Sequence, residues 1–286
     1  MGTIVLAACA SHSPGITGFP ERAAATANAA VDAAFSELAR TIGALAPDAI
    51  VTVSAEHFTN FSLANLPTFA VAAAPWFAMP ASESFASFLR IPPRRYPGHQ
   101  ALGEALFAHV VAAGFDPSFV AGGYGFDEGF AVPLALLCGE RPVPVVPVVV
   151  NGLHAPFPSL ARCHALGQAL ADGIVGQDLA KRVVVIGTGG LSHWVGLPRA
   201  GEIDAAFDGR VLASFAGGRA EELCSLGDAD LDRAGNGAHE LRAWMVAAGA
   251  AGNVPWRVLA YEPVPAWLTG TAVAVAEEPL HEEGVR

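Results

Sequence analysis

Three apolar runs that each lead into a histidine-bearing loop constrain this chain more than any other feature. Thr3–Cys9, Ala49–Ser54 and Arg182–Ile186 are short, rich in Ile, Val and Ala, and followed by turn-forming residues. Such runs read as strands buried on both faces of a sheet. Behind them stand Ser11-His12-Ser13-Pro14, Glu56-His57-Phe58 and Gly187-Thr188-Gly189-Gly190-Leu191-Ser192-His193-Trp194. Loops at the carboxyl ends of strands in an α/β sheet build its ligand crevice. The pattern therefore brings three imidazoles to the same kind of place.

Between the strands the apolar period changes from continuous to helical. Val31, Phe35, Leu38, Ile42 and Leu45 form one stripe of a helix that ends before Pro47, and Leu160, Cys163, Leu166, Leu170 and Ile174 form another. Helices are also predicted over 99–114, 132–138, 203–215, 220–226 and 238–248. Further strands are predicted over 118–121, 143–150, 256–261 and 271–276. Residues 58–96, rich in Phe, Pro and Ser, read as an irregular excursion with short strands that covers the site. The expected fold is a single α/β domain over residues 1–278, with a mostly parallel or mixed central sheet flanked by helices. An acidic, loose tail is expected over 279–286.

Charge and cysteine usage exclude several function classes. The net charge of −11, with Lys181 the single lysine, offers no basic face to nucleic acid or anionic lipid. No apolar run approaches the roughly 20 residues of a membrane span, and no basic residue precedes the first apolar segment, so a soluble, cytoplasmic protein is expected. Cys9, Cys138, Cys163 and Cys224 lie far apart without a C-x-x-C pair, which reads as buried free thiols. Hydrophobic residues at 52% against 15% charged suit a well-buried enzyme and point to subunit interfaces.

The chemistry-bearing set is His12, His57 and His193 on the three loops, with Glu240 on a late helix. Two imidazoles and one carboxylate can hold one face of a divalent metal and leave the other open, an arrangement associated with non-haem Fe(II) and oxygen chemistry. Zinc accepts similar ligands, so spacing alone does not name the metal. The loop Gly187–Gly190 lacks the lysine of a phosphate loop and reads as a turn that aims His193. Ser11, Ser13 and Ser192 neighbour histidines, but no G-x-S-x-G elbow is present to make a serine hydrolase. His154 can line a pocket, His239 reads equally as a cap or interface residue, and His99, His109, His164 and His281 read as surface or helix-face residues.

Taken in order, Ser11-His12-Ser13-Pro14, Glu56-His57-Phe58, Asp127-Glu128-Gly129-Phe130 with Val132-Pro133-Leu134, Val146-Pro147 with Asn151-Gly152, Gly187–His193, and His239-Glu240 with Trp244 form a single series. This series resembles the class III extradiol ring-cleavage dioxygenases, the family of the protocatechuate 4,5-dioxygenase catalytic subunit. The ending Tyr261-Glu262-Pro263-Val264-Pro265-Ala266-Trp267 is similar to the branch acting on 2,3-dihydroxyphenylpropionate. The resemblance implies Fe(II) held by His12, His57 and Glu240, with His193 as acid/base. It further implies a small aromatic substrate and O2 as reactants, assembly into a homo-oligomer, and in some relatives a partner subunit. Asp127, Phe130 and Trp194 are expected to touch the substrate.

Position 128 departs from this pattern. The family places histidine between the aspartate and the glycine, whereas this chain has Glu128. A carboxylate donates no hydrogen bond unless protonated; one reading has Glu128 act in catalysis on a substrate other than a plain catechol, such as an aminophenol or hydroxypyridone, and the other has it face solvent on a loop that has drifted. The rival readings are a zinc-dependent hydrolase or lyase on the same ligands and a catalytically silent subunit.

Overall fold

The computed structural model describes residues 1–277, so the expected acidic tail over 279–286 lies outside the described residues. Its centre is an eight-stranded mixed sheet with the order β6-β3-β7-β2-β8-β1-β10-β9. In chain order the first half comprises β1 (Thr3–Ala10), the single turn α1 (Gly15–Gly18), α2 (Ala25–Leu45), β2 (Ala49–Ser54), β3 (Phe69–Ala72), β4 (Trp76–Met79), α3 (Glu83–Leu89), β5 (Arg94–Pro97), α4 (Gln100–Ala112) and β6 (Ser118–Val120). There follow α5 (Glu128–Cys138), β7 (Val145–Val150), α6 (Leu160–Val175), β8 (Arg182–Thr188), α7 (Ala205–Ala216), α8 (Asp228–Ala234), α9 (Leu241–Ala251), β9 (Trp256–Val264) and β10 (Thr269–Ala276). Strands β4 and β5 pair as a separate two-stranded sheet. Among the described residues no helix is long and apolar enough to cross a membrane.

The inner strands β7, β2, β8 and β1 run parallel, and β10 and β9 close one side antiparallel. Side chains alternate across the sheet, as the period of two requires. Val51, Val53, Val183 and Val185 face a core shared with α4, α6 and α9, whereas Ile50, Val184 and Ile186 face the core under α2 and α5. Both faces are covered, which explains why these strands read as continuous apolar runs. Helices α6 and α9 approach closely at Gly167 and Gly249, where a Cβ would meet the backbone of Val246 and His164.

The excursion 58–96 is more ordered than expected. Phe69–Ala72 joins the main sheet antiparallel to β7, and Glu83–Leu89 is helical. A four-residue strand is too short for its period to stand out from the surrounding alanines and prolines. Helix α5 begins at Glu128 instead of 132, capped by Asp127. Its Pro133 lies in the interior, where its missing N–H leaves the Gly129 carbonyl without a helical partner. The Thr188 hydroxyl donates to that carbonyl at 2.8 Å.

Candidate metal centre and active site

Because β2, β8 and β1 are adjacent and parallel, the residues that follow them emerge side by side at one edge of the sheet. His12, His57 and His193 are the imidazoles these loops carry. Glu240 arrives from the opposite direction, at the end of a 3-10 turn (Asn236–Glu240) that leads into α9. Its carboxylate lies 3.4 Å from His12 Nε2, 3.2 Å from His57 Nε2 and 3.7 Å from His193 Nε2. One ligand atom from each of His12, His57 and Glu240 lies within 4.8 Å of the other two.

The far nitrogens show that this is a built donor set. Asp127 Oδ2 accepts from the His57 backbone N–H at 2.7 Å and lies 3.0 Å from His57 Nδ1. A carboxylate can only accept here, so His57 carries a proton on Nδ1, and Nε2 is the nitrogen left to face Glu240 and to bind a metal. His12 Nδ1 lies 3.2 Å from the Thr188 hydroxyl. That hydroxyl spends its single proton on the Gly129 carbonyl, so it accepts from His12 Nδ1–H, and His12 Nε2 is likewise left free. Outer partners that fix the tautomer in this way are what metal-ligating imidazoles require. The donor chemistry fits a divalent metal.

Electrostatics bind the same groups together. Burial pushes the His57 pKa down, but Asp127, then Glu240 and Glu128, more than offset it and hold it well above the usual imidazole range. Burial pushes the Glu240 carboxyl up, and the nearby His12 and His193 hold it well below the usual carboxylate range. The Gly190 N–H also donates to Glu240 Oε2, at 2.6 Å. For His193, burial is outweighed by Glu240 and by the Leu191 carbonyl 3.1 Å from Nδ1, so its pKa is raised. The His193 ring lies between Gly190 and Gly237. A Cβ at either glycine would run into the imidazole.

A cavity of about 420 Å³ opens on this cluster. Its polar wall includes His12, His57, Glu128, His193 and Glu240, and its apolar wall includes Phe58, Leu153, Val195, Trp267 and Leu268. Phe58 lies at the mouth with φ +58°, a left-handed conformation that a bulky residue adopts only when its surroundings impose it. The residue is 47% exposed.

Three expected substrate contacts are placed elsewhere. Asp127 is wholly buried, with one oxygen on His57 and the other accepting from the Gly129 N–H; it orients the His57 imidazole and caps a helix. Phe130 is wholly buried and stacks on Phe126 in the core beneath α5. Trp194 is buried under the Arg199 guanidinium, and Trp267 stands in the cavity wall instead. His154 is exposed and hydrogen-bonds the Ala155 carbonyl, while His239 turns away from the cavity toward Asp232 and Arg242. Thr188 and Gly237 escape notice at the level of sequence. A hydroxyl inside the glycine run ahead of His193 is the only signal that points to the first.

The chain belongs to the family described as the catalytic LigB subunit of aromatic ring-opening dioxygenase, which it matches over residues 6–272. Among individual relatives, the 2,3-dihydroxyphenylpropionate/2,3-dihydroxicinnamic acid 1,2-dioxygenase of Klebsiella pneumoniae (strain 342) is 28% identical across 92% of this chain and 95% of its own length. The corresponding dioxygenase 1 of Pseudomonas putida is 29% identical over the same shares. The crystal structure of uncharacterized protein JW3007 from Escherichia coli K12 shares the fold, with a TM-score of 0.58 at 17% identity over 86% of this chain and 92% of that one.

Proposed function

We propose that the protein is an Fe(II)-dependent extradiol dioxygenase that opens the ring of a catechol-like substrate beside its two oxygens. The observation that carries the reading is the convergence of His12 Nε2, His57 Nε2 and the Glu240 carboxylate on one point, with their tautomers fixed and a cavity on the open side. Bound there, Fe(II) supplies the centre at which an aromatic diol and O2 are held together and exchange electrons. Both atoms of O2 enter the product, one ring C–C bond breaks, and no external reductant is needed.

The protein's own part is positioning and proton handling. His193 keeps its Nδ1 proton on the Leu191 carbonyl, which leaves Nε2 to take a proton from the substrate hydroxyl and return it as the ring opens. The adjacent Glu240 carboxylate favours the imidazolium this creates. Phe58, Val195 and Trp267 provide apolar surface for the ring and displace water from it.

The relatives' names specify a diol with a propionate side chain; whether this chain shares that preference depends on Glu128. The test is anaerobic reconstitution with Fe(II), then oxygen uptake and absorbance scans on catechols and aminophenols. A coloured ring-opened product is expected, and His57→Ala should abolish iron binding. Full iron occupancy in that variant refutes the ligand set. Absent oxygen uptake with iron bound favours a zinc hydrolase or lyase, or a silent subunit.

A further inference from the structure

We propose that Glu128 makes this cavity selective for an aromatic diol whose substituent ends in an N–H donor, an ammonium group foremost, and that the cavity disfavours diols ending in a carboxylate. The inference rests on the ring-opening reading and specifies its substrate class.

Charge in the cavity wall is one-sided. Among the described residues, the side chains lining the cavity include two carboxylates, Glu128 and Glu240, and no lysine or arginine. Glu240 is committed to His12, His57 and the Gly190 N–H. Glu128 is not committed. Its nearest cationic neighbour, His57 Nδ1, is 3.8 Å from Oε1, too far for a hydrogen bond, and that nitrogen is already taken by Asp127. Its Oε2 is buried without any hydrogen-bond partner. A buried carboxylate oxygen without a donor is costly to maintain, so a ligand that brings one is preferred.

Two further polar side chains of the wall, Ser13 and Asn236, are already engaged. The Ser13 hydroxyl donates to the Trp267 carbonyl, and the Asn236 amide is bonded at both ends to the Val195 backbone. Glu128 also occupies the first turn of α5, where the helix dipole favours negative charge. A substrate with an anionic tail would thus meet a carboxylate, with no lysine or arginine in the cavity wall to offset it. An ammonium tail would pair with the Glu128 carboxylate through a charge-assisted contact. The apolar walls accept the ring in either case.

The experiment uses the Fe(II)-loaded protein without oxygen and three probes of similar size: 2-(2,3-dihydroxyphenyl)ethylammonium, 3-ethylcatechol and 3-(2,3-dihydroxyphenyl)propionate. Affinities are read by titration calorimetry, and oxygen uptake is followed separately on the same samples. We expect the ammonium probe to bind roughly ten- to a hundredfold more tightly than the propionate, the size of one charge-assisted contact, with the ethyl compound between them. In Glu128→Gln, which keeps the volume and removes the charge, that ratio should collapse. Oxygen uptake with a preference for the propionate probe overturns this inference and leaves the ring-opening reading standing. An ammonium preference that survives Glu128→Gln assigns the selectivity elsewhere and overturns it as well. Two Fe(II) ions per chain would make Glu128 a metal ligand together with His57 and Asp127, and would likewise overturn it. Failure of all three probes to bind overturns both readings.

Discussion

Replacing Thr188 by Val isolates the outer support of the metal centre. The substitution is close to isosteric in a site with no solvent exposure, so the hydroxyl is the main loss. Two buried groups lose their partner together: the Gly129 carbonyl, left free by Pro133, and His12 Nδ1–H. At about 1–3 kcal/mol for each unsatisfied buried group, the fold should lose roughly 2–6 kcal/mol, which corresponds to a drop on the order of 10 °C in Tm for a chain of this size. The His12 ring is also released from its tautomer and orientation. Loss of such a partner weakens metal binding by about 10- to 100-fold. The assay is an anaerobic competition titration of Fe(II) against a chelator. Thr188→Ser serves as the control, because it keeps the hydroxyl and deletes one buried methyl, for about 1 kcal/mol and little change in affinity. Wild-type affinity in Thr188→Val would refute the role of this hydroxyl in setting the His12 tautomer.

Removal of His193 by alanine should leave Fe(II) binding intact and slow ring opening by about 10²- to 10⁴-fold in single-turnover kinetics; an unchanged rate removes it from the mechanism. Gly237→Ala places a methyl against the His193 imidazole, so turnover should fall at least about tenfold while iron occupancy, measured by metal analysis, holds. Asp208 is wholly buried, and burial raises its pKa against the lowering effect of the Tyr261 and Ser192 hydrogen bonds. Its raised folded pKa means that the protonated form is favoured in the fold and that this stabilisation is lost as pH rises through the folded value. Tyr261→Phe should therefore cost about 1–3 kcal/mol near pH 7, where the carboxylate needs the donor, and less as pH falls through that raised pKa. Paired Tm measurements at the two pH values check it, and an equal deficit at both refutes the role given to Asp208.

What the sequence reveals and what it conceals follow from range. Strands β1, β2 and β8 are legible because burial on both faces demands unbroken apolar runs, and their adjacency places the histidine loops together. The start of α5 is not, since Pro133 is tolerated only because a hydroxyl 59 positions beyond Gly129 serves the carbonyl it leaves free, and no local pattern records that. Phe130 and Trp194 read as cavity aromatics because they adjoin site motifs; neighbours in sequence point to different sides of an element, and both fall into packed surroundings. Asp127 carries a real signal with a different meaning: its carboxylate acts on His57, 70 residues away. Trp267 reaches the cavity from a turn between the two antiparallel strands, far outside the histidine loops.

The ligands also come from widely separated parts of the chain, with His57 and Glu240 183 positions apart. No fragment ending before Glu240 holds the whole donor set, so metal capture would report that these distant elements have come together. A bound ion would join the first strand, the second strand and the α9 entry into one closed unit, and would add stability that grows with the logarithm of its free concentration. Supply of that metal would thus set how long the folded chain persists as well as how fast it turns over.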